Sequence, residues 1–268
     1  MAYFHLELYS SSVTNGSLLQ TNALSTGNVI PTLYNGYQVP SLHYLAGSMG
    51  VGAHLQRIQL QARSFLPYPY PDMVPVNRGT AFESPVRGYF NFANPRSMQP
   101  TEELDAYSAN NNVSAETQYI GALFSDGPIQ PVPWVGGFTV HGTASSTLSA
   151  GAWTTNITIT LDTNLPAGIY QLVGLRVYSA TCLFARVFPR TNNQLARPGI
   201  TGVQTYDGLD ASYARYGAAG VWHTFPQNVA PGIDIFATSA DTAEEFWLDL
   251  IPVGPNMQGA AILGSVPM

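Results

Sequence analysis

One short pattern occurs twice in this chain, as SAETQYIGALFSDGP at Ser114–Pro128 and as TAEEFWLDLIPVGP at Thr242–Pro255. Each copy opens with Ala-Glu, passes through an apolar run that contains an aromatic residue, and closes on Gly-Pro. Apolar and aromatic runs bounded by Gly and Pro are typical of β-strands. Two copies about half a chain apart indicate that the same kind of unit is present twice.

The segments that surround this pattern also recur, and they do so in the same order. The matched pairs are Gly52–Ala62 with Gly168–Tyr178, Arg87–Phe92 with Tyr216–Phe225, and Leu104–Tyr107 with Ile233–Phe236. The offset drifts from about 116 to about 132 residues, and a period above roughly 100 residues indicates a duplicated domain, since solenoid repeats run about 20–50 residues. Three Pro and three Gly residues in Gly127–Gly137 predict a stiff linker between two units, 1–130 and 131–268.

The sequence favours short strands over helices. Gly (25) and Pro (20) recur throughout and interrupt helical periodicity, whereas period-two alternation is common. The predicted strands are Tyr3–Tyr9, His54–Ala62, Arg87–Phe92, Tyr119–Phe124, Gly137–Val140, Thr155–Leu161, Ile169–Tyr178, Thr181–Phe188, Val221–Phe225, Asp234–Ala237 and Glu245–Ile251. They predict an all-β fold of two similar sandwiches, with only one or two short helices, near Ser41–Leu45 or in 207–216.

The composition is low in charge and rich in aromatic residues. Charged residues make up 10% of the chain, against roughly 25% in an ordinary soluble domain, and all ten cationic side chains are Arg. Protein interfaces are depleted in Lys and Glu and enriched in Tyr, Phe and Arg. This composition indicates a surface largely covered by neighbouring subunits; a genome that avoids Lys codons would produce the same bias.

Several functional classes are disfavoured by charge and patterning. The net charge is −6 and the Arg residues are scattered singly, so we expect no direct nucleic-acid binding. Residues 1–9 lack the pattern of a signal peptide, and no stretch reaches the roughly 20 apolar residues of a membrane span; we therefore expect synthesis and folding in a cytoplasm. The lone Cys182 lies in an apolar run and is predicted to be a buried thiol.

No cluster of residues suited to catalysis or metal binding stands out. The five histidines are His5, His43, His54, His141 and His223. No two of them are spaced along a strand as the metal site of a two-domain cupin enzyme requires, so we expect no enzyme activity, metal or cofactor. Glu116 and Glu244 occupy the same place in the two copies of the repeated pattern, which predicts a shared structural role, such as accepting backbone N–H groups at a strand entry.

The tryptophans divide into two groups by sequence context. Trp222 and Trp247 lie in strand-like segments, which predicts that both belong to the core. Trp134 and Trp153 lie in turn-rich segments, where either is a candidate binding aromatic.

A Pro-rich run at Leu66–Pro75 alternates Pro with Tyr, which favours an extended segment with its rings projecting outward. Such a segment would be either an arm that docks on a neighbouring subunit or a loop packed on its own domain. Tyr68, Tyr70 and Trp134 are therefore the candidate inter-subunit contacts.

The second half carries a resemblance to a known family. The run LPAGIYQLVGLRVYS at Leu165–Ser179, the following ARVFP, and SADTAEE at Ser239–Glu245 are similar to segments of environmental bacteriophage proteins. With the duplicated sandwich, the chain resembles the double jelly-roll major capsid proteins of icosahedral bacteriophages. The resemblance covers most of the second half and, more loosely, Glu116–Pro128.

This resemblance implies two tandem eight-stranded jelly-roll sandwiches, with a C-terminal tail at Gly254–Met268, in a structural virion protein. It implies a homotrimer of six jelly rolls, packed side by side with neighbouring capsomers and other capsid proteins in a shell, and located in the virion. An internal lipid membrane is a further partner in this family. The alternative hypothesis is a virion spike or lectin-like sandwich that binds receptor glycans; an enzyme of the two-domain cupin or glycosidase type is the third.

Overall fold

The computed structural model describes residues 5–13, 20–24, 43–65, 73–75, 89–99, 104–110, 114, 116–190, 197–202, 204 and 214–253. These residues form eighteen β-strands, paired antiparallel, and one 3-10 turn at Arg63–Phe65, with no α-helix among them. The all-β prediction is confirmed. The helix predicted near Ser41–Leu45 is wrong for the described part of that segment, because His43 begins a strand, and 214–216 form a bend and turn while the rest of 207–216 lies outside the described residues.

The first half contains nine strands. They are β1 (His5–Val13), β2 (Gln20–Leu24), β3 (His43–Gly52), β4 (Leu55–Gln61), β5 (Met73–Pro75), β6 (Tyr89–Phe90), β7 (Arg96–Met98), β8 (Leu104–Asn110) and β9 (Glu116–Ser125). Sheet A has the order β1-β9-β3-β6, with β7 also paired to β3, and sheet B has the order β2-β8-β4-β5.

The second half also contains nine strands. They are β10 (Phe138–Ala144), β11 (Trp153–Ile157), β12 (Thr160–Leu161), β13 (Ile169–Tyr178), β14 (Cys182–Phe188), β15 (Gly199–Thr201), β16 (His223–Pro226), β17 (Gly232–Ala237) and β18 (Glu244–Pro252). Sheet C has the order β12-β10-β18-β13-β16, and sheet D has the order β11-β17-β14-β15.

The two halves share one strand order. The strand order β1-β9-β3-β6 of sheet A corresponds to β10-β18-β13-β16 of sheet C. The order β2-β8-β4-β5 of sheet B corresponds to β11-β17-β14-β15 of sheet D. The repeated pattern forms β9 and β18, and each of these strands begins at its Glu, Glu116 or Glu244. The repeated pattern therefore marks the same strand of two equivalent units.

One pair in the sequence alignment is wrong. Gly52–Ala62 contains β4, whose equivalent by strand order is β14, whereas Gly168–Tyr178 contains β13, whose equivalent is β3. The error arises because neighbouring strands of a sandwich share the same alternation of apolar and polar residues, so one can be mistaken for another. In addition, the Gly-containing run His43–Gly52 does not have the pattern of a strand. With the correct pairs the offset is nearly constant, from His43 to Ile169 and from Glu116 to Glu244.

The two halves pack through one sheet of each. A Cβ built on Gly50 would lie 2.7 Å from Ile58 of sheet B, so Gly50 faces inward and its neighbours Met49 and Val51 face outward. Both outward residues are nonetheless buried. On the same face, the Tyr119 ring lies 5.5 Å from the ring of Phe236 in sheet D. The outer face of sheet A therefore packs on the outer face of sheet D, giving the layer order B, A, D, C.

The linker between the halves is bonded to both of them. It forms no strand at Gly127–Gly137, as expected. The Ile129 N–H donates to the Phe92 carbonyl of the first half (2.7 Å), and the Val132 N–H donates to the Gly217 carbonyl of the second half (2.9 Å). Gly217 has φ +81°, and a Cβ there would lie 2.3 Å from the Val132 carbonyl oxygen, so the close approach requires glycine.

Glu244 has the role expected of the repeated carboxylate. It is 1% exposed and its Oε2 accepts the backbone N–H of Ser146 at 3.2 Å, while Oε1 is buried without a partner. Burial raises the pKa of this carboxyl to about 7. The side chain of Glu116 lies outside the described residues, so its role stays a prediction.

We expect Glu244→Gln to stabilise the protein at pH 8. Because the carboxyl keeps its proton in the folded protein up to about pH 7 but loses it near pH 4.5 when unfolded, the free energy of unfolding should fall as pH rises between these values. The fall is about 3 kcal/mol, from about 1.4 kcal/mol per pKa unit over the shift from 4.5 to about 7. Urea unfolding across this pH range should show a flatter profile for the Gln variant. Equal slopes for Glu244→Gln and wild type would refute the assignment.

Candidate functional site

Trp134, the one predicted inter-subunit contact among the described residues, lies in the linker. Trp134 is half-buried, with its ring centroid 5.0 Å from that of Tyr216. A Cβ on Gly137 would lie 2.6 Å from the Trp134 ring, so the indole folds back over its own chain. The adjacent Val135 is 77% exposed. Tyr68 and Tyr70 lie outside the described residues, so their part in a contact stays a prediction.

A buried carboxylate organises the outer face of sheet C. Asp249 is fully buried; its Oδ1 accepts hydrogen bonds from Arg176 Nη2 (2.9 Å) and Thr139 Oγ1 (2.6 Å). Its Oδ2 accepts the backbone N–H of Tyr216 at 3.0 Å. The three donors lie on β10, on β13 and in the loop at 214–220, so Asp249 links these three segments. The network is structural, because buried charges are retained when paired and hydrogen-bonded.

A second buried carboxylate organises the outer face of sheet D, the face that packs on the first half. Asp234 is fully buried and accepts Arg186 Nε and Arg197 Nη1 on Oδ2, each at 2.7 Å, and the Asn156 N–H on Oδ1 at 2.8 Å. The Arg186 guanidinium lies 4.0 Å above the Trp153 ring. Trp153 is half-buried, with its ring against Arg186 and Phe236 of its own half, and its part in binding stays a prediction.

The described residues bring one histidine between two carboxylates, on the outer face of sheet C. His141 Nδ1 lies 2.5 Å from Asp162 Oδ2, and Nε2 lies 3.3 Å from Glu245 Oε2. The imidazole also contacts the Trp247 indole, with ring centroids 4.9 Å apart. These four side chains form the His141 cluster. All of them are partly exposed, so the assignment of Trp247 to the core is wrong, whereas Trp222 is buried as predicted.

No local sequence pattern predicts the His141 cluster, because its members are 21 and 104 residues apart. The available signal is period-two alternation in β10 and β18, which places His141 opposite Trp247 once the two strands are paired. Strand pairing could not be read from the sequence.

The His141 imidazole should be protonated to a higher pH than an ordinary histidine. The hydrogen bond that the imidazole donates to Asp162, and after it the one to Glu245, raise the pKa of His141 above 6.5, while burial lowers the pKa of His223. A raised pKa stabilises the fold at low pH, and this contribution is lost as pH rises through the folded pKa. We expect NMR titration to show His141 titrating above His223, and Asp162→Asn to lower the pKa of His141 alone. Identical titrations in the two proteins would contradict the contact.

Other candidate chemistry is sparse in the described part of the chain. Cys182 is buried, as predicted, and burial raises the pKa of its thiol. No group of three His, Cys, Asp or Glu side chains there is placed to hold a metal ion, and no helix there is long and apolar enough to cross a membrane. A groove of about 450 Å³ lies between β10, β11 and β12 and is lined mainly by Ser and Thr hydroxyls and by Asn156.

Comparison with known proteins adds little to the chain's own features. No family model matches the sequence, and no curated protein matches it. Among solved structures, the chain is similar to the major capsid protein P2 of bacteriophage PM2, at 9% sequence identity and a TM-score of 0.23. The similarity covers 96% of this chain and 99% of that protein. At this TM-score the likeness carries no functional argument, so the function is inferred from the strand order and packing of the chain.

Proposed function

We propose that the chain is a structural virion protein, a capsid subunit that assembles as trimers into an icosahedral shell. Its two units, 1–130 and 131–268, are each a jelly roll in this proposal. The observation that carries it is the shared strand order: in both halves one sheet has the order first-last-third-sixth of the main strands (β1-β9-β3-β6 and β10-β18-β13-β16), and most successive strands lie in opposite sheets, as in the two Greek keys of a jelly roll. Jelly rolls are common capsid folds.

The packing of the halves supports a ring-shaped subunit arrangement. Sheet A of the first unit packs on sheet D of the second, so two equivalent units meet through different faces. A contact of this kind between identical molecules is heterologous and generates closed rings when the rotation closes. Three chains would supply six equivalent units in one pseudo-hexameric capsomer. The low charge and high aromatic content of the chain fit large lateral contacts with neighbouring capsomers and other capsid proteins.

Mass photometry of the purified chain, followed by negative-stain imaging, tests the proposal. We expect a species of three times the 28.8 kDa chain mass, with a near-hexagonal outline. A chain that stays monomeric at micromolar concentration, across salt and pH, would overturn the capsid role.

A glycan-binding virion spike is the second candidate, and the hydroxyl-lined groove between β10, β11 and β12 favours it. Serine, threonine and asparagine side chains supply both donors and acceptors for sugar hydroxyls. A glycan array tests this role, because a spike would retain specific glycans whereas a shell subunit would not. Thr155→Val and Asn156→Ala should abolish any binding that occurs in this groove.

A further inference from the structure

Strand β12 forms one wall of the hydroxyl-lined groove and is attached to its sheet by few bonds. It has only two residues, Thr160 and Leu161, which pair with Thr143 and Gly142 of β10. Thr160 and Thr143 both line the groove. Among the described residues, no strand pairs with β12 on its other side. The position of this wall therefore depends on the contacts that join β12 to β10.

His141 supplies the contacts that extend this short pairing. Its carbonyl accepts the backbone N–H of Asp162, the residue directly after β12, at 3.1 Å. Its Nδ1 lies 2.5 Å from Asp162 Oδ2. On the other side of the ring, Nε2 lies 3.3 Å from Glu245 Oε2 on β18. The imidazole thus connects the end of β12 to the central strand of sheet C.

The arrangement requires a charged imidazole. Carboxylate oxygens accept hydrogen bonds, and a neutral imidazole carries one N–H group whereas an imidazolium carries two. Both ring nitrogens of His141 can therefore donate to a carboxylate only when the ring is doubly protonated. The Trp247 indole favours the same state, because its ring centroid lies 4.9 Å from that of the imidazole and an indole attracts a cation within about 6 Å of its centre.

The charged and titratable groups around the imidazole come from three elements. Asp162 follows β12 and Glu245 lies on β18, while the neighbouring strand β13 carries Arg176 and Tyr178. The Arg176 guanidinium donates to Asp249, so the two carboxylates are the charged groups that bond the ring. The bond to Asp162, followed by that to Glu245 and opposed by burial, raises the pKa of the imidazole above 6.5.

We propose that His141 is a pH-dependent latch for β12 and so regulates the shape of the hydroxyl-lined groove. At low pH the imidazolium holds Asp162 and Glu245 together and keeps Thr160 in the groove wall. Once the ring is neutral it gives up one of its two bonds, and the two carboxylates repel each other across it. β12 then separates from β10 more often. This inference rests on the glycan-binding role proposed for the groove and adds its control by pH: sugars should be held at low pH and released as pH rises.

Hydrogen exchange at the Asp162 amide tests the latch without any ligand. This N–H donates to the His141 carbonyl, so it exchanges when β12 separates from β10. Its protection, corrected for the intrinsic exchange rate at each pH, should fall tenfold or more as pH rises through the titration of His141. That is roughly the effect of losing one hydrogen bond to a charged group. The Val187 amide, which donates to the Pro198 carbonyl in sheet D, is the internal reference and should keep its protection.

A second titrating group beside the groove has to be removed first. Glu244 has a pKa of about 7 and accepts the N–H of Ser146, which also lines the groove. The parent chain for the experiment is therefore Glu244→Gln. His141→Gln, added to this parent, replaces a half-buried ring by a neutral side chain that does not titrate, and its Asp162 amide should be weakly protected at every pH.

The exchange data can overturn the latch in two ways. Protection of the Asp162 amide that stays constant with pH in the Glu244→Gln parent would refute it. So would an equal fall in the parent and in the chain that also carries His141→Gln, because the titrating group would then be a different one.

The outcomes also separate the latch from the role of the groove. A pH-dependent Asp162 amide in a chain that retains no sugar on a glycan array would support the latch and refute the glycan-binding role. Glycan binding that is equal below and above the titration of His141, with constant protection of the Asp162 amide, would support that role and refute the latch.

Discussion

Asp234→Ala is expected to lower the free energy of unfolding by about 3–5 kcal/mol, the range found when one partner of a buried ion pair is removed. The carboxylate has no exposed surface, and the side chain of Arg186 is only 3% exposed. Removing Asp234 leaves that guanidinium buried beside Trp153 without its carboxylate. It also frees the Asn156 N–H, whose residue has the unusual φ of +56°. Urea unfolding followed by tryptophan fluorescence measures the loss.

Two controls make this prediction specific. Asp162→Ala removes an exposed carboxylate and should cost well under 1 kcal/mol beyond its effect on His141. The double variant Arg186→Met/Asp234→Leu should be more stable than Asp234→Ala, because it removes the buried Arg186 charge together with its carboxylate. Arg197, the other partner of Asp234, is 21% exposed and can be solvated in both variants. A double variant as unstable as the sum of both single changes would show that the ion pair is not the source of the loss.

Gly174→Ala is expected to cost about 3 kcal/mol, at the upper end of the range for overpacked sites. Gly174 follows the irregularity in β13 at Leu172–Gly174. Its Cβ would lie 2.3 Å from Asp249 Oδ2 and 2.8 Å from the Ala214 carbonyl oxygen. The methyl group can be accommodated only if the loop at 214–220 moves away from Asp249. That movement breaks the hydrogen bond that the Tyr216 N–H donates to Asp249.

The measurement for Gly174→Ala is thermal unfolding together with hydrogen exchange at the Tyr216 amide, which donates to Asp249. Gly168→Ala is the matched control, since the nearest atom to its Cβ is 3.8 Å away, and it should change stability by less than 1 kcal/mol. Unchanged protection of the Tyr216 amide in Gly174→Ala would contradict the expected loop movement.

The fold class is predictable from the sequence because it depends on local patterns. The repeated strand, its Glu at the first position and the Pro-rich linker are all signals within a dozen residues, and each corresponds to the structure. The equivalence of β4 with β14 is not predictable in this way, since it depends on strand order and every apolar strand of a sandwich looks alike. Strand order is set by contacts between distant segments, which no single window contains.

The polar sites depend on distant contacts in the same way. Asp234 and Asp249 each interrupt an apolar run of a strand, and this is the available signal for a buried network. Their partners cannot be named from the sequence, because Arg176 lies 73 residues from Asp249 and Arg186 lies 48 residues from Asp234. The prediction that Trp247 belongs to the core is wrong for a related reason. Side chains along a strand point alternately to its buried and its solvent-exposed face, but the sequence pattern alone does not say which face is buried.

The double attachment of the linker bears on how an assembly of these chains could curve. Ile129 is hydrogen-bonded to the first unit and Val132 to the second, and the two residues are only three positions apart along the backbone. So short a link, together with the apolar contact around Tyr119, should hold the two described sandwiches firmly against each other. Each chain would then behave as a rigid subunit, and the curvature of an assembly would have to come from the contacts between chains.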